Sequence, residues 1–234
     1  MRQKESELII PKHIGVILDG NRRWAKAKGL PSLEGHRRGF NRLTQLVENC
    51  IDRGIKHVTV FAFSTENWNR PEEEVAYLMD LFREMFGKPA EKMHKLGVRI
   101  NVAGRLEDFD QDIQDGMKRI MSATKDNTVI TFNIALSYGG RAEIVDAVKR
   151  IIKDGLKPED ITEAKFAEYI YEAGQPDPEI IVRASGEQRI SGFMLWQAAY
   201  SEFYFTDVLW PDFDAKELDS VIAEYNHRER RFGK

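Results

Sequence analysis

The stretch His13-Ile14-Gly15-Val16-Ile17-Leu18-Asp19-Gly20-Asn21-Arg22-Arg23-Trp24 decides how this chain is read. A short apolar run, rich in β-branched side chains, stops at Asp19-Gly20-Asn21 and gives way to basic residues. Such a run, bounded by turn residues, fits a strand buried on both faces, as in a parallel sheet. Similar runs recur at 56–63, 98–103, 128–135 and 179–184, with a sixth near 202–205. Between them, Val75, Leu78, Met79, Phe82, Met85 and Phe86 fall at the spacing of an amphipathic helix over 75–86. Pro71 suits its first turn, and Asn69 with Glu72 has capping-box spacing. Further helices fit 43–53, 107–123, 141–153, 163–173 and 215–228. The alternation predicts an α/β fold: a single domain over 1–234 with a mainly parallel six-stranded sheet flanked by helices, residues 1–11 forming a flexible tail.

Composition sets the outer limits. The 234 residues carry 35 Lys and Arg against 38 Asp and Glu, a net charge of −3 that argues against a general nucleic-acid binder. An apolar share of 42% with 17 Gly is that of a globular domain. The lone Cys50 rules out a disulfide scaffold and suits a reducing compartment. No stretch approaches the roughly 20 apolar residues that cross a bilayer, and the N-terminus lacks the apolar core of a signal peptide. The expectation is a cytoplasmic protein that can still touch a membrane or a lipid.

In open parallel sheets, ligands gather at the carboxyl ends of the strands. The segments there are Asp19-Gly20-Asn21, Ser64-Thr65-Glu66-Asn67-Trp68, Ser137-Tyr138-Gly139-Gly140-Arg141 and Ser185-Gly186-Glu187, all rich in polar or small residues. Charge singles out the first. From Gly20 to Arg42, seven basic residues stand against Glu34 alone, a local +6 that leaves −9 for the rest. A positive field opening from a strand end suits an anion held at a helix N-terminus. Glycine-bounded turns at Gly20 and Gly35 would bring Arg22, Arg23 and His36 near it, whereas Lys26, Lys28 and Arg42 read as a solvated helix face. Arg183 and Arg189 flank the Ser185-Gly186-Glu187 loop, and arginine forks match phosphate oxygens. Arg228 and Arg230 read as solvent-exposed.

Asp19 admits two readings: a carboxylate that holds Mg²⁺ beside substrate phosphates, or a helix N-cap. There is no P-loop, dinucleotide fingerprint or nucleophile elbow. The five histidines lack zinc spacing. The acidic group Glu107, Asp108, Asp110, Asp112 and Asp115 lacks calcium-loop spacing and reads as a charged helix start.

Several blocks together resemble the cis-prenyltransferase family. They are Asp19-Gly20-Asn21-Arg22-Arg23-Trp24-Ala25, Gly35-His36, the run from Phe61 to Pro71, Tyr138-Gly139-Gly140-Arg141, the run from Arg183 to Ser191, and the blocks from Leu195 to Phe213. The likeness spans about Pro11 to Gly233, in order and with compatible spacing. It is similar above all to the bacterial undecaprenyl diphosphate synthases, also called isoprenyl transferases. The resemblance implies a Mg²⁺-dependent enzyme that adds isopentenyl diphosphate repeatedly to an allylic diphosphate such as farnesyl diphosphate. Each new double bond would be cis, and the product, undecaprenyl diphosphate, would serve as a cell-wall lipid carrier.

The resemblance further implies that Asp19 binds Mg²⁺, with Glu202 as second metal ligand. Gly20, Asn21, Arg22 and Arg23 would cradle the allylic diphosphate, helped by His36, and Trp24 would line that site. Arg183, Arg189, Ile190 and Ser191 would hold isopentenyl diphosphate. Ser64, Thr65, Glu66, Trp68 and Arg70 would belong to a loop that closes over substrate. Asn67 takes the position to which the family's proton-acceptor role is assigned, although a neutral amide suits orienting a base better than being one. The 75–86 helix and the second and fourth strands would bound a tunnel with Ile130 at its floor. A homodimer, with the C-terminal Arg231-Phe232-Gly233 reaching a neighbour's site, and peripheral membrane contact for product release are also implied. Ser32, Ala184 and Gly192 depart from the residues usual in relatives. The alternatives are a noncatalytic subunit, a synthase of shorter cis products, and a nucleotide or RNA-phosphate binder using the basic 20–42 segment.

Overall fold

The structure, a computed structural model, describes residues 8–228. Six strands, β1 (His13–Ile17), β2 (His57–Ser64), β3 (Val98–Ala103), β4 (Ile130–Tyr138), β5 (Ile180–Arg183) and β6 (Glu202–Phe205), form one sheet in the order β3-β4-β2-β1-β5-β6. Every pairing among them is parallel. The chain runs from β1 toward β2 on one side and returns from β4 to β5 on the other, so β1 sits at the point where the strand order reverses. A crevice opens at such a point, beyond the carboxyl ends of the strands.

Strand residues alternate between two cores, as a period of two dictates. Ile14, Val16, Val58, Val60, Phe132 and Ile134 face the larger one, with Leu46, Phe82, Met93, Met117 and Leu218 from the helices. Ile17, Ala135, Ile181, Phe193 and Met194 make the smaller one on the opposite face. Helices α1 (Asn21–Ala27), α2 (Ser32–Asp52), α3 (Glu72–Met85), α4 (Lys88–Lys95) and α5 (Gln111–Thr124) precede β4, and α6 (Gly140–Lys153), α7 (Glu163–Ala167) and α8 (Ala215–His227) follow it.

Several expected boundaries are corrected. Helix α2 begins at Ser32 rather than near Leu43, and Gly35 lies inside it rather than in a turn. Gly35 marks a close crossing: a Cβ there would run into the backbone carbonyl of Asn21 on α1. Pro71 caps α3 from outside, and the capping box belongs instead to Ser64 and Asn67, on the 3₁₀ turn Thr65–Asn69. Helix α4 escapes a propensity reading because Gly87 and Pro89 punctuate its start. The expected helix over 107–123 is a 3₁₀ turn at Leu106–Asp108 followed by α5. Its acidic group is spent on partners, Asp110 and Asp112 both clasping Arg83 at 2.6 Å. The expected tail is tied down where it is described, since Ile9 exchanges hydrogen bonds with the Asn226 side chain on α8.

Candidate active site

At the end of β1 the chain turns through Gly20 at φ 102°, a left-handed conformation that glycine adopts without cost. The turn brings Gly20, Asn21, Arg22 and Arg23, at the start of α1, to the wall of a cavity of about 520 Å³. The same cavity takes Ser64, Asn67 and Arg70 from β2 and the following turn, His36 from α2, and Arg183, Arg189 and Ser191 from β5 and its loop. Four segments distant in sequence thus converge at one sheet edge. Leu43, Leu78, Leu81 and Phe82 form the apolar wall of the cavity.

Asp19 joins the basic groups. Its Oδ2 accepts from Arg183 Nη2 at 2.8 Å and lies 3.5 Å from Arg23 Nη2, while Oδ1 accepts the Gly20 N–H at 2.6 Å. Burial pushes the Asp19 carboxyl up, but hydrogen bonds from Arg183 and Ser185 and the Arg183 charge outweigh it and hold the group below the ordinary carboxylate range. Arg183 is 95% buried, given its 5% exposure; it also donates to the Arg189 carbonyl and to Ser191 Oγ, and its Nε has no partner. Arg23 donates to the Ser185 carbonyl at 3.0 Å and lies 3.4 Å from Glu187, which also pairs with Arg189. Ser185 and Ser191 hold positive φ, at 88° and 50°, a strain that gathers at functional loops.

Glu74, on the first turn of α3, organises the opposite wall. Its Oε1 meets His36 Nε2 at 2.9 Å and Arg70 Nη1 at 3.0 Å, and its Oε2 lies 3.6 Å from Arg22. Burial drives the His36 pKa down against the opposing pull of Glu74. Sequence reading missed Glu74, because one acid among Glu72, Glu73 and Glu74 looks like helix-start charge. The one available signal was its spacing of four from Arg70.

A cavity with two arginine groups, an apolar wall and the half-buried carboxylate of Asp19 between the arginines suits a diphosphate with a greasy tail. The family model described as "Putative undecaprenyl diphosphate synthase" matches residues 17–233. The chain belongs to the undecaprenyl diphosphate synthase family of cis-prenyltransferases. It is 53% identical over 224 residues to an isoprenyl transferase of Fusobacterium nucleatum subsp. nucleatum, covering 96% of both chains. Among solved structures it is similar to lavandulyl diphosphate synthase from Lavandula x intermedia, in complex with dimethylallyl diphosphate. That match has a TM-score of 0.92 at 33% identity and covers 96% of this chain and 98% of that one. A probable undecaprenyl diphosphate synthase from Campylobacter jejuni matches with TM-score 0.81 and 31% identity, over 97% and 100% of the two chains.

Not every residue that the cis-prenyltransferase resemblance singled out reaches the cavity. Thr65, Glu66, Trp68 and Ile190 stand behind it, and Trp24 turns away, with Lys28 over its ring and its indole nitrogen buried without a partner. Glu202 does not join Asp19 within one chain. It pairs in register with Ile180, itself opposite Ile14, so Asp19 lies five residues further along the strands. At a rise of about 3.3 Å per residue and two strand spacings of about 4.8 Å, the two carboxylates are roughly 19 Å apart. Glu202 instead binds Arg228 at 2.7 Å, which removes Arg228 from the free surface as well. One ion cannot bridge both acids within a chain. Among the described residues no cluster of three or more His, Cys, Asp or Glu could hold a metal. What fits is a hard cation that takes one ligand from Asp19 and the rest from substrate phosphates.

The expected tunnel floor is not reached either. Ile130 is buried in the larger core at the far end of β4, and Met79, Met85, Phe86 and Phe132 fill that core with it. Arg230, Arg231, Phe232 and Gly233 lie outside the described residues.

Proposed function

We propose that this chain joins isopentenyl diphosphate to an allylic diphosphate, with farnesyl diphosphate as primer, and repeats the step to a long cis-polyprenyl diphosphate. Undecaprenyl diphosphate, the lipid carrier of cell-wall synthesis, is the product we assign. The observation that carries this reading is the meeting of Arg23 and Arg183 at the half-buried Asp19, in a cavity that Arg22 and Arg189 also line and that has an apolar wall.

In this mechanism the α1 amides and Arg22 and Arg23 bind the allylic diphosphate, whose charge the helix N-terminus favours. Arg183, Arg189 and Ser191 bind the second diphosphate by forked contacts. Leu78, Leu81 and Phe82 take the prenyl tail, and the C–O bond to the allylic diphosphate breaks as the new C–C bond forms. Asp19 would hold Mg²⁺ together with substrate oxygens, and the chemistry that ion supplies is neutralisation of the departing diphosphate. The proton lost from the isopentenyl unit needs a base. Asn67 Oδ1 already accepts the Ser64 N–H at 3.1 Å, so the residue acts by orienting, and a phosphate oxygen takes the proton. Closure of the 64–70 segment excludes water from a carbocation-like transition state.

The enzyme works as a homodimer in the cytoplasm and meets the membrane only to release product. Support for a second copy comes from α6, where Val145, Val148 and Ile152 expose 50%, 42% and 70% of their surface along one helical face. No described helix is long and apolar enough to cross a membrane. The closed core between Phe82 and Ile130 favours a second reading in which elongation stops at a shorter cis product. Incubation of the purified chain with farnesyl diphosphate, isopentenyl diphosphate and Mg²⁺, followed by mass analysis of the lipids, tests both. A C55 product supports the first reading, a shorter ladder the second, and unchanged primer overturns both.

A further inference from the structure

The turn Thr65–Asn69 brings Asn67 to the cavity, and its neighbour Trp68 ties that turn to the sheet. The indole packs edge-on against Phe63 with centroids 4.9 Å apart, and tilted against Phe109 at 5.4 Å. Its Nε1–H donates to Ser137 Oγ at 2.9 Å. Ser137, the last residue but one of β4, is fully buried, and its hydroxyl donates to Asp108 Oδ2. The direction of this chain is fixed by chemistry: an indole nitrogen can only donate, so Ser137 accepts there and its single proton goes to the carboxylate. A charged acceptor at the far end strengthens the bond it receives. Neither Ser137 nor Asp108 lines the cavity.

Ser137 also holds φ at 44°, a left-handed conformation uncommon outside glycine. A residue kept there only to let the backbone turn would be glycine. A strained serine whose hydroxyl is doubly engaged is explained by the hydroxyl. We propose that Ser137, backed by Asp108, is a positioning residue for Asn67: it locks Trp68 and so sets where the 64–70 segment presents the Asn67 amide to bound substrate. The link to catalysis rests on the function proposed above; the lock itself does not.

The two are separable by experiment. In ¹H–¹⁵N spectra of the substrate-free protein, the Trp68 indole signal is assigned by its loss in Trp68→Phe and the Asn67 side-chain amide by its loss in Asn67→Asp. Ser137→Gly relieves the backbone strain but removes the hydroxyl that pairs the indole N–H with Asp108, so the opposing effects should leave its thermal midpoint at or modestly below that of the parent, with the chain folded. It should nevertheless shift the indole signal, speed its exchange with water and move the Asn67 amide. Asp108→Ala should do the same more weakly. Ser137→Asn, which tolerates the left-handed region and offers both an acceptor and donors, should restore both signals. In turnover, Ser137→Gly should lower kcat about 10- to 100-fold with KM for the allylic diphosphate held within about twofold, the pattern of a misplaced group rather than lost binding. Ser137→Asn should recover most of that loss. Unmoved Trp68 and Asn67 signals in Ser137→Gly would overturn the proposal, as would moved signals with parental kcat. If the parent itself condenses no diphosphates, the functional reading fails, and the two signals still decide whether Ser137 positions Asn67.

Discussion

Asp19 shows how one residue draws its role from its surroundings. Its pKa is held below the ordinary carboxylate range, so the charge and the attraction to Arg183 are in place above that range and fade only as pH falls through the depressed pKa. The rate profile between about pH 5 and 9 should therefore carry no limb from Asp19. Asp19→Asn keeps the size and loses the charge, and should cut turnover at least 100-fold, on the order seen when a preorganised charge is removed. Parental turnover would refute the assignment. A second acid behaves oppositely. Glu172 is buried, accepts from Thr59 Oγ1 at 3.1 Å and has Oε1 unpartnered, and burial pushes its pKa up to about 8. It stays protonated when folded while the unfolded chain ionises near 4.5, so stability is lost as pH rises between those values. Glu172→Gln, measured against the parent by thermal unfolding, should gain stability with a slope of up to about 1.4 kcal/mol per pH unit across that window and level off above it. A difference that does not change with pH would count against a neutral Glu172.

At the scale of elements, the α1–α2 crossing sets the cradle. Gly35 lets α2 pass against the Asn21 carbonyl, and Gly39 lies over the Asn21 side chain. Gly35→Ala forces the helices apart at the point from which Arg22 and Arg23 reach the cavity. It should destabilise the fold by about 1–3 kcal/mol, as overpacking does, and weaken diphosphate binding. Calorimetric unfolding and pyrophosphate titration check both, and an unshifted midpoint would show that the crossing can yield. The same glycines explain why α2 was only half legible. In a linear string, Gly35 reads as a terminus, whereas in space it is an interior contact. The strands were legible almost throughout, since β-branched runs buried on both faces need no partner to be recognised.

For the whole molecule, the distribution of charge and apolar surface decides behaviour. Of the seven basic residues in the 20–42 segment, Arg22 and Arg23 line the cavity, whereas Arg37 pairs with Glu84 and Arg42 donates to the Pro211 carbonyl, so the segment's charge is divided between the cavity and the surrounding surface. The exposed stripe Val145, Val148 and Ile152 on α6 is where the proposed homodimer would close. Ile152→Arg should leave the thermal midpoint close to parental and shift the sedimenting species from dimer to monomer. A parental monomer, or a variant that remains dimeric, would contradict that assembly.

Reading the string alone determined the alternation of strands and helices, the parallel sheet and the loops that carry Asp19, Asn67, Arg183 and Arg189. These depend on local periodicity and on residue chemistry, which are properties of neighbours along the chain. Only the tertiary structure decided that Glu74 braces His36 and Arg70, that Glu202 and Asp19 lie at opposite ends of the sheet within one chain, and that Ser137 holds Trp68. Each depends on register between strands and on the meeting of side chains far apart in sequence, which spacing along a chain does not encode.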